Sequence, residues 1–127
     1  MVIKMLNQLS VNKSDLVSII TPMYNSEKYI EDAINSVLLQ TYINWELIII
    51  NDFSNDDSVK IVENYSKSNN KIKLIHNKRN LGPALTRNKG IEIAKGRFIA
   101  FLDSDDLWKK RKLEKQKKFM KSNNYAL

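Results

Sequence analysis

The stretch WELIIIN (Trp45–Asn51) places three consecutive isoleucines ahead of a polar end. A half-buried strand alternates apolar and polar residues. A near-continuous apolar run suits a strand covered on both faces, as in a parallel sheet. Three further runs have strand character: LVSIIT (Leu16–Thr21), the shorter IKLIH (Ile72–His76) and RFIAFL (Arg97–Leu102). The length of IKLIH leaves open whether it is a parallel, an edge or an antiparallel strand.

Helical patterns fill the intervals. Glu27–Gln40 sets Ile30, Ala33, Ile34, Val37 and Leu38 on one stripe, with Ser26 as the expected N-cap. Asp57–Lys67 carries Val59, Val62 and Tyr65 behind Ser54-x-x-Asp57, which has capping-box spacing. Pro83–Lys95 carries Leu85, Ile91 and Ala94; Gly82-Pro83 suits a helix start and Gly96 a stop. A last pattern from about Trp108 puts Leu113, Gln116, Phe119 and Met120 on one side. Strand alternating with helix predicts a doubly wound α/β sheet. No internal repeat, low-complexity tract or linker interrupts it.

The chain has 127 residues, enough for one domain with a core. It has no cysteine, which removes disulfides and thiolate metal sites and fits a cytoplasmic setting. No apolar stretch approaches the roughly 18 residues of a membrane span. Residues 1–15 lack a continuous apolar core and a small-residue cleavage site, so they read as an extension and not as a signal peptide. The net charge of +7 hints at nucleic acid, but its location weakens the hint. Lys109–Lys121 holds eight Lys/Arg against Glu114, which accounts for the whole excess. A solvated helix face is the reading favoured over an RNA surface; docking on anionic lipid is the other use of a basic amphipathic helix.

In open α/β sheets, ligands bind beyond the carboxyl ends of the strands. The four runs here end in Thr21-Pro22-Met23-Tyr24-Asn25, Asn51-Asp52-Phe53-Ser54, Asn77-Lys78-Arg79-Asn80 with Gly82, and Asp103-Ser104-Asp105-Asp106. Together they make a polar, aromatic and acidic rim. Asp103 and Asp105 stand two apart, so an extended segment points both to one side, and two carboxylates suit a divalent cation. The competing reading is capping of the helix near Trp108 by Asp105 or Asp106. Asp52 could close a turn or accept a hydrogen bond from a ligand. Arg87 could be a surface charge, or could contact phosphate or the Asp52 and Asp103 carboxylates. Tyr24 suits core packing or a platform for a flat ring. His76 receives no role.

In this order the motifs resemble the family-2 glycosyltransferases, inverting bacterial enzymes of the GT-A fold. The matching pieces are VSIITPMYNSEKYIEDAINSVLLQTYINWELIIINDFSNDDS and NKRNLGPALTRNKGIEIAKGRFIAFLDSDD, within Leu16 to about Lys121. The resemblance implies a Rossmann-like α/β/α sandwich with a mostly parallel sheet, ending soon after the strand of the DXD motif and its following helix. It implies a nucleotide-sugar donor, most often a UDP-sugar, and Mn²⁺ or Mg²⁺ as cofactor. Carried over, Thr21, Pro22 and Tyr24 border base and ribose, and Glu27 is the ribose-contacting acid. Asp52 binds the uracil edge, with Asn51 a departure from the common Asp-Asp. Asn80, Gly82 and Arg87 lie near the nucleotide. Asp103 and Asp105 are the metal-binding acids of the DXD motif, and Ser104 between them is a further donor-nucleotide-binding residue.

The resemblance further implies a glycan or lipid-linked acceptor. It implies a cytoplasmic location, peripheral to the inner face of the cell membrane if 109–121 docks there. No residue matches the family's general base, so 16–127 is expected to be the donor-binding half, weak or inactive alone. Self-association through an exposed sheet edge is also expected.

Overall fold

The computed structural model describes residues 4–5 and 15–122. Five strands form one sheet in the order β1-β5-β2-β3-β4: β1 (Lys4–Met5), β2 (Val17–Met23), β3 (Trp45–Asn51), β4 (Ile72–His76) and β5 (Phe98–Phe101). The pairs β5–β2, β2–β3 and β3–β4 are parallel. β1 runs antiparallel to β5, with Lys4 opposite Ile99 and Met5 opposite Phe98. Part of the expected N-terminal extension thus supplies an edge strand, and β4 is a parallel strand at the other edge.

The sheet is buried on both faces, as the apolar runs predicted. Every residue of β3 is buried. Side chains alternate, so one face carries Val17, Ile19, Leu47, Ile49 and Ala100 under α1 (Ile30–Leu38) and α4 (Lys112–Ser122). Val62 of α2 (Ser58–Ser68) belongs to that same layer. The other face carries Ile20, Ile48, Ile50 and Ile99 under α3 (Pro83–Ile93). This is the expected α/β/α sandwich. The chain leaves β2 toward β3 and β4, then α3 returns it past them to β5. The order therefore reverses at β2, and a crevice opens at the carboxyl ends of β2 and β5.

Several local expectations are corrected. α1 starts at Ile30, and Ser26 does not cap it through its side chain: its hydroxyl meets Ser104 Oγ at 2.7 Å. The Ser54–Asp57 capping box does not form. Ser54 Oγ instead accepts the Asn25 N–H, while Asp56 Oδ1 accepts the Ser58 N–H at α2's start. Tertiary bonds between these loops outcompete the local motif. α3 ends at Ile93, two residues early, and Gly96 is not a simple helix stop. A Cβ at Gly96 would lie 2.7 Å from the Leu16 carbonyl, so glycine lets β5 close on β2.

The faces of the last two helices differ too. Leu85 is exposed, and α3 buries Thr86 and Gly90 instead. A Cβ at Gly90 would sit 2.5 Å from Ile20 Cγ2, so the helix rides directly on the isoleucines. α4 begins at Lys112 and buries Leu113 and Met120, while Phe119 is exposed. Two of its lysines are paired: Lys117 and Lys121 meet the Asp15 carboxylate at 3.0 and 3.2 Å, beside Arg97 at 2.9 Å.

Candidate active site

The site is organised from Asp52, the residue after β3. Its N–H continues the ladder to the Met23 carbonyl at 2.7 Å, and the residue is 3 % exposed. Asp52 Oδ1 accepts from the Leu81 N–H at 2.7 Å and from Asn77 Nδ2 at 2.9 Å. Oδ2 accepts from the Gly82 N–H at 2.9 Å. Burial pushes this carboxyl up, but the Leu81 amide, Asn77, the Gly82 amide and Thr86 outweigh it and leave it below the ordinary value. Gly82 has φ 87°, a left-handed conformation natural to glycine. The Thr86 hydroxyl donates to the Gly82 carbonyl at 2.6 Å and accepts from Asn77. Asp52 therefore shapes the turn that opens α3.

A cleft of about 470 Å³ lies at the reversal point. That volume is in the range of small-molecule sites. β2 contributes Pro22 and the following Tyr24, whose ring is about half exposed. β3 contributes Asp52, and the β4–α3 turn contributes Asn80, Gly82 and Arg87. β5 leads to Asp103, Ser104 and Asp105. Nine of the eleven residues singled out from sequence thus share one cleft. Thr21 does not line it; the side chain is buried in the sheet and Oγ1 has no hydrogen-bond partner among the described residues. Glu27 does not line it either, because its carboxylate accepts the Asp57 N–H at 3.1 Å.

That last bond belongs to a seam joining the two loops. Asn25 Oδ1 accepts from Asn55 N–H, Asp56 Oδ2 from Glu27 N–H, and Ser58 Oγ from Ser26 N–H. Asn25 and Phe53 both hold positive φ, 47° and 65°, one in each loop. For an aromatic residue this conformation is uncommon and persists only where its surroundings enforce it. Asn51, the departure from Asp-Asp, lies 3.1 Å from His76 Nδ1 through its amide and accepts the Ser54 N–H. His76 thus has a structural partner. Asn77, Thr86 and Ser26 hold the site together and were not singled out for it. Their signal in the sequence was only that they are polar residues beside strand ends or in a helix.

The acidic turn after β5 is open. Asp103 is more than half exposed and meets Arg87 at 3.3 Å. Asp106 accepts the Leu107 N–H, and α4 begins only at Lys112, so the turn does not cap that helix. Among the described residues, no three acids or imidazoles converge into a metal centre made by protein alone. Two exposed carboxylates on a cleft rim leave positions for phosphate and water. That donor set fits Mg²⁺ or Mn²⁺.

The glycosyl transferase family 2 model matches residues 18–127. The chain belongs to that family. Its sequence is 49% identical over 115 residues to a Bacillus subtilis (strain 168) protein provisionally named as the teichuronic acid biosynthesis glycosyltransferase TuaG, covering 91% of this chain and 46% of that one. It is 50% identical over 111 residues to the Escherichia coli UDP-Glc:alpha-D-GlcNAc-diphosphoundecaprenol beta-1,3-glucosyltransferase WfgD, covering 87% and 43%. The chain thus spans less than half the length of either relative. The S. aureus TarS 1-349 structure in complex with UDP-GlcNAc superposes with a TM-score of 0.80 at 34% identity, covering 85% of this chain and 32% of that one. The fold is that of the GT-A glycosyltransferases. Among the described residues, no helix is long and apolar enough to cross a membrane.

Proposed function

We propose that the chain is the donor-binding part of an inverting, metal-dependent glycosyltransferase that uses a UDP-sugar. The observation that carries this is the convergence of groups from four strand ends on one cleft. Tyr24 offers a face for the base. Gly82 and Asn80, held by Asp52, border the nucleotide, and Arg87 answers the diphosphate. Asp103 and Asp105 would hold Mn²⁺ or Mg²⁺, which when bound neutralises charge on the leaving nucleoside diphosphate. UDP-Glc, the donor in WfgD's name, and UDP-GlcNAc, bound in the TarS structure, favour uridine. The acceptor is a glycan or a lipid-linked sugar, with the diphosphoundecaprenol-linked sugar of WfgD as the lead.

Inverting transfer needs a base for the acceptor hydroxyl. Asp52 is enclosed by amides, and the acids of the turn are assigned to the cation. The 127-residue chain is therefore expected to bind donor without efficient turnover; multiple turnover by the purified chain would refute this. The same donor cleft would also serve a non-catalytic nucleotide-sugar-binding module, the second reading. The test of both is a calorimetric titration of UDP with Mn²⁺, with EDTA, and into Asp103→Asn/Asp105→Asn. Metal-dependent binding that the double variant loses supports the site. Absence of binding by a folded chain overturns it.

A further inference from the structure

A second cavity, about 500 Å³, begins at the residue after the donor cleft ends. Asp105 lines the first and Asp106 the second, so consecutive residues border the two. Leu107 and Trp108 form an apolar wall, and Lys109, Lys112 and Lys115 a cationic one. Arg111 also lines it but is engaged with Glu114 at 2.6 Å. Among the described residues, Lys109, Lys112 and Lys115 form no ion pair. Gln116 completes the wall, and among the described residues its buried Oε1 has no hydrogen-bond partner. Asp106 is the carboxylate among the described residues that line it, and its Oδ1 accepts the Leu107 N–H.

The surroundings extend both characters. Leu107 is 63% exposed, and Leu39 is 62% exposed beside Gln40. Gln40 is buried and staples the two segments: its Nε2 donates to the Lys109 carbonyl at 2.7 Å, and its Oε1 accepts the Leu113 N–H at 3.1 Å. An exposed leucine lining the cavity and a second beside Gln40, near lysines that form no salt bridge among the described residues, do not suit a ligand that is only an anion. They suit a phosphate joined to hydrocarbon.

We propose that this cavity and its rim form a docking site for the phosphate-bearing headgroup of a membrane lipid. Lys109, Lys112 and Lys115 take the phosphate, while Leu107 and Leu39 enter the acyl boundary. A lipid held there has its phosphate in the cavity that adjoins the donor cleft. Its sugar end, in a lipid-linked acceptor, would face the donor cleft. The site's purpose therefore rests on the glycosyltransferase reading, but its occupancy needs no nucleotide.

Vesicle pelleting without nucleotide tests it on the full chain. The probes are vesicles of phosphatidylglycerol and phosphatidylcholine in equal parts, and vesicles of phosphatidylcholine alone. The chain is expected to pellet with the first and not the second. Lys109→Gln/Lys112→Gln should weaken binding about 30-fold, from roughly fivefold for each basic residue at an anionic surface. Leu107→Asn should cost about tenfold from the lost apolar contact. Lys60→Gln/Lys67→Gln removes the same charge from exposed positions of α2 and should leave binding unchanged. UDP affinity should be unaltered in the cavity variant, which separates this site from the donor site. The proposal is overturned by no pelleting, or by equal weakening in the α2 control. Binding of inorganic phosphate by the chain with no pelleting overturns it in favour of a free-anion site. Retention of single-stranded RNA without pelleting overturns it in favour of nucleic acid.

Discussion

Replacing Asp52 by asparagine keeps the shape of the side chain and removes what the turn at Gly82 needs. The carboxylate accepts three hydrogen bonds, from Leu81 N–H, Asn77 Nδ2 and Gly82 N–H, in a residue 3 % exposed. In Asp52→Asn one oxygen becomes an NH₂ that meets an N–H donor. One hydrogen bond to a charged acceptor is lost, worth about 1.5–3 kcal/mol, and the other two weaken as the charge disappears. Relief of a buried charge offsets part of this. The net expectation is a loss of about 3 kcal/mol. With an m-value of about 2 kcal/mol/M, the urea midpoint falls by roughly 1.5 M. The gap should also depend on pH. Asp52 titrates below its ordinary value when folded, so its contribution is complete above about pH 4. It is lost as pH falls through the lower folded value, and the two urea midpoints should then converge. A neutral-pH difference below about 0.5 kcal/mol, within the range of ordinary surface changes, would refute the reasoning. So would a gap that stays constant into acid.

Other perturbations test separate parts. Gly96→Ala drives a Cβ against the Leu16 carbonyl and Ser18 N at 2.7 Å each, and should cost at least the 1–3 kcal/mol typical of overpacking, about 3–10 °C in Tm. Gly90→Ala meets only side-chain atoms of Ile20 and Ile50, so a thermal melt should place it between wild type and Gly96→Ala. Arg87→Met frees Asp103 from its 3.3 Å partner. Calorimetry should then find nucleotide-free Mn²⁺ binding tighter, by up to about fivefold, and UDP binding weaker.

The strands were legible because burial on both faces leaves a direct mark: β3 and β4 occupy the expected bounds, Trp45–Asn51 and Ile72–His76. The face of α3 was not. Its pattern suggested Leu85, Ile91 and Ala94; Ile91 and Ala94 do pack against the isoleucines, but Leu85 is exposed and the residues fully buried are Thr86 and Gly90. Close approach selects small residues, which an apolar periodicity cannot register. In the site, Tyr24, Asp52, Gly82, Arg87 and the Asp103–Asp105 turn were visible because they follow strand ends. Thr21 and Glu27 also lie near a strand end but are taken by the sheet and by the seam to Asp57. Adjacency to a strand end does not say which way a side chain turns. Asn77 was read only as part of the polar rim, and Thr86 not at all, because their importance lies in a shared hydrogen bond between separate elements.

The two buried carboxylates of this region have a common object. Asp52, after the carboxyl end of β3, accepts the Gly82 N–H at the start of α3. Glu46, near the amino end of the same strand, accepts the Lys95 N–H just past the end of α3, at 2.8 Å. Glu46 also takes Ser18 Oγ at 2.5 Å and Lys73 Nζ at 2.7 Å; burial raises its pKa, but Lys73, Ser18 and the Lys95 amide bring it below the ordinary value. α3 fully buries no large apolar side chain of its own, and one strand also holds it by a carboxylate at each end. Arg87 rides on that helix. Glu46→Gln, at neutral pH, should therefore loosen α3 before the rest of the fold. A bond to a charged acceptor is worth about 2 kcal/mol, or roughly 30-fold in amide protection. Hydrogen exchange should find that loss concentrated in α3, with α1 and α2 much less affected. Equal loss of protection in all three helices would mean that Glu46 supports the whole fold and has no special hold on α3.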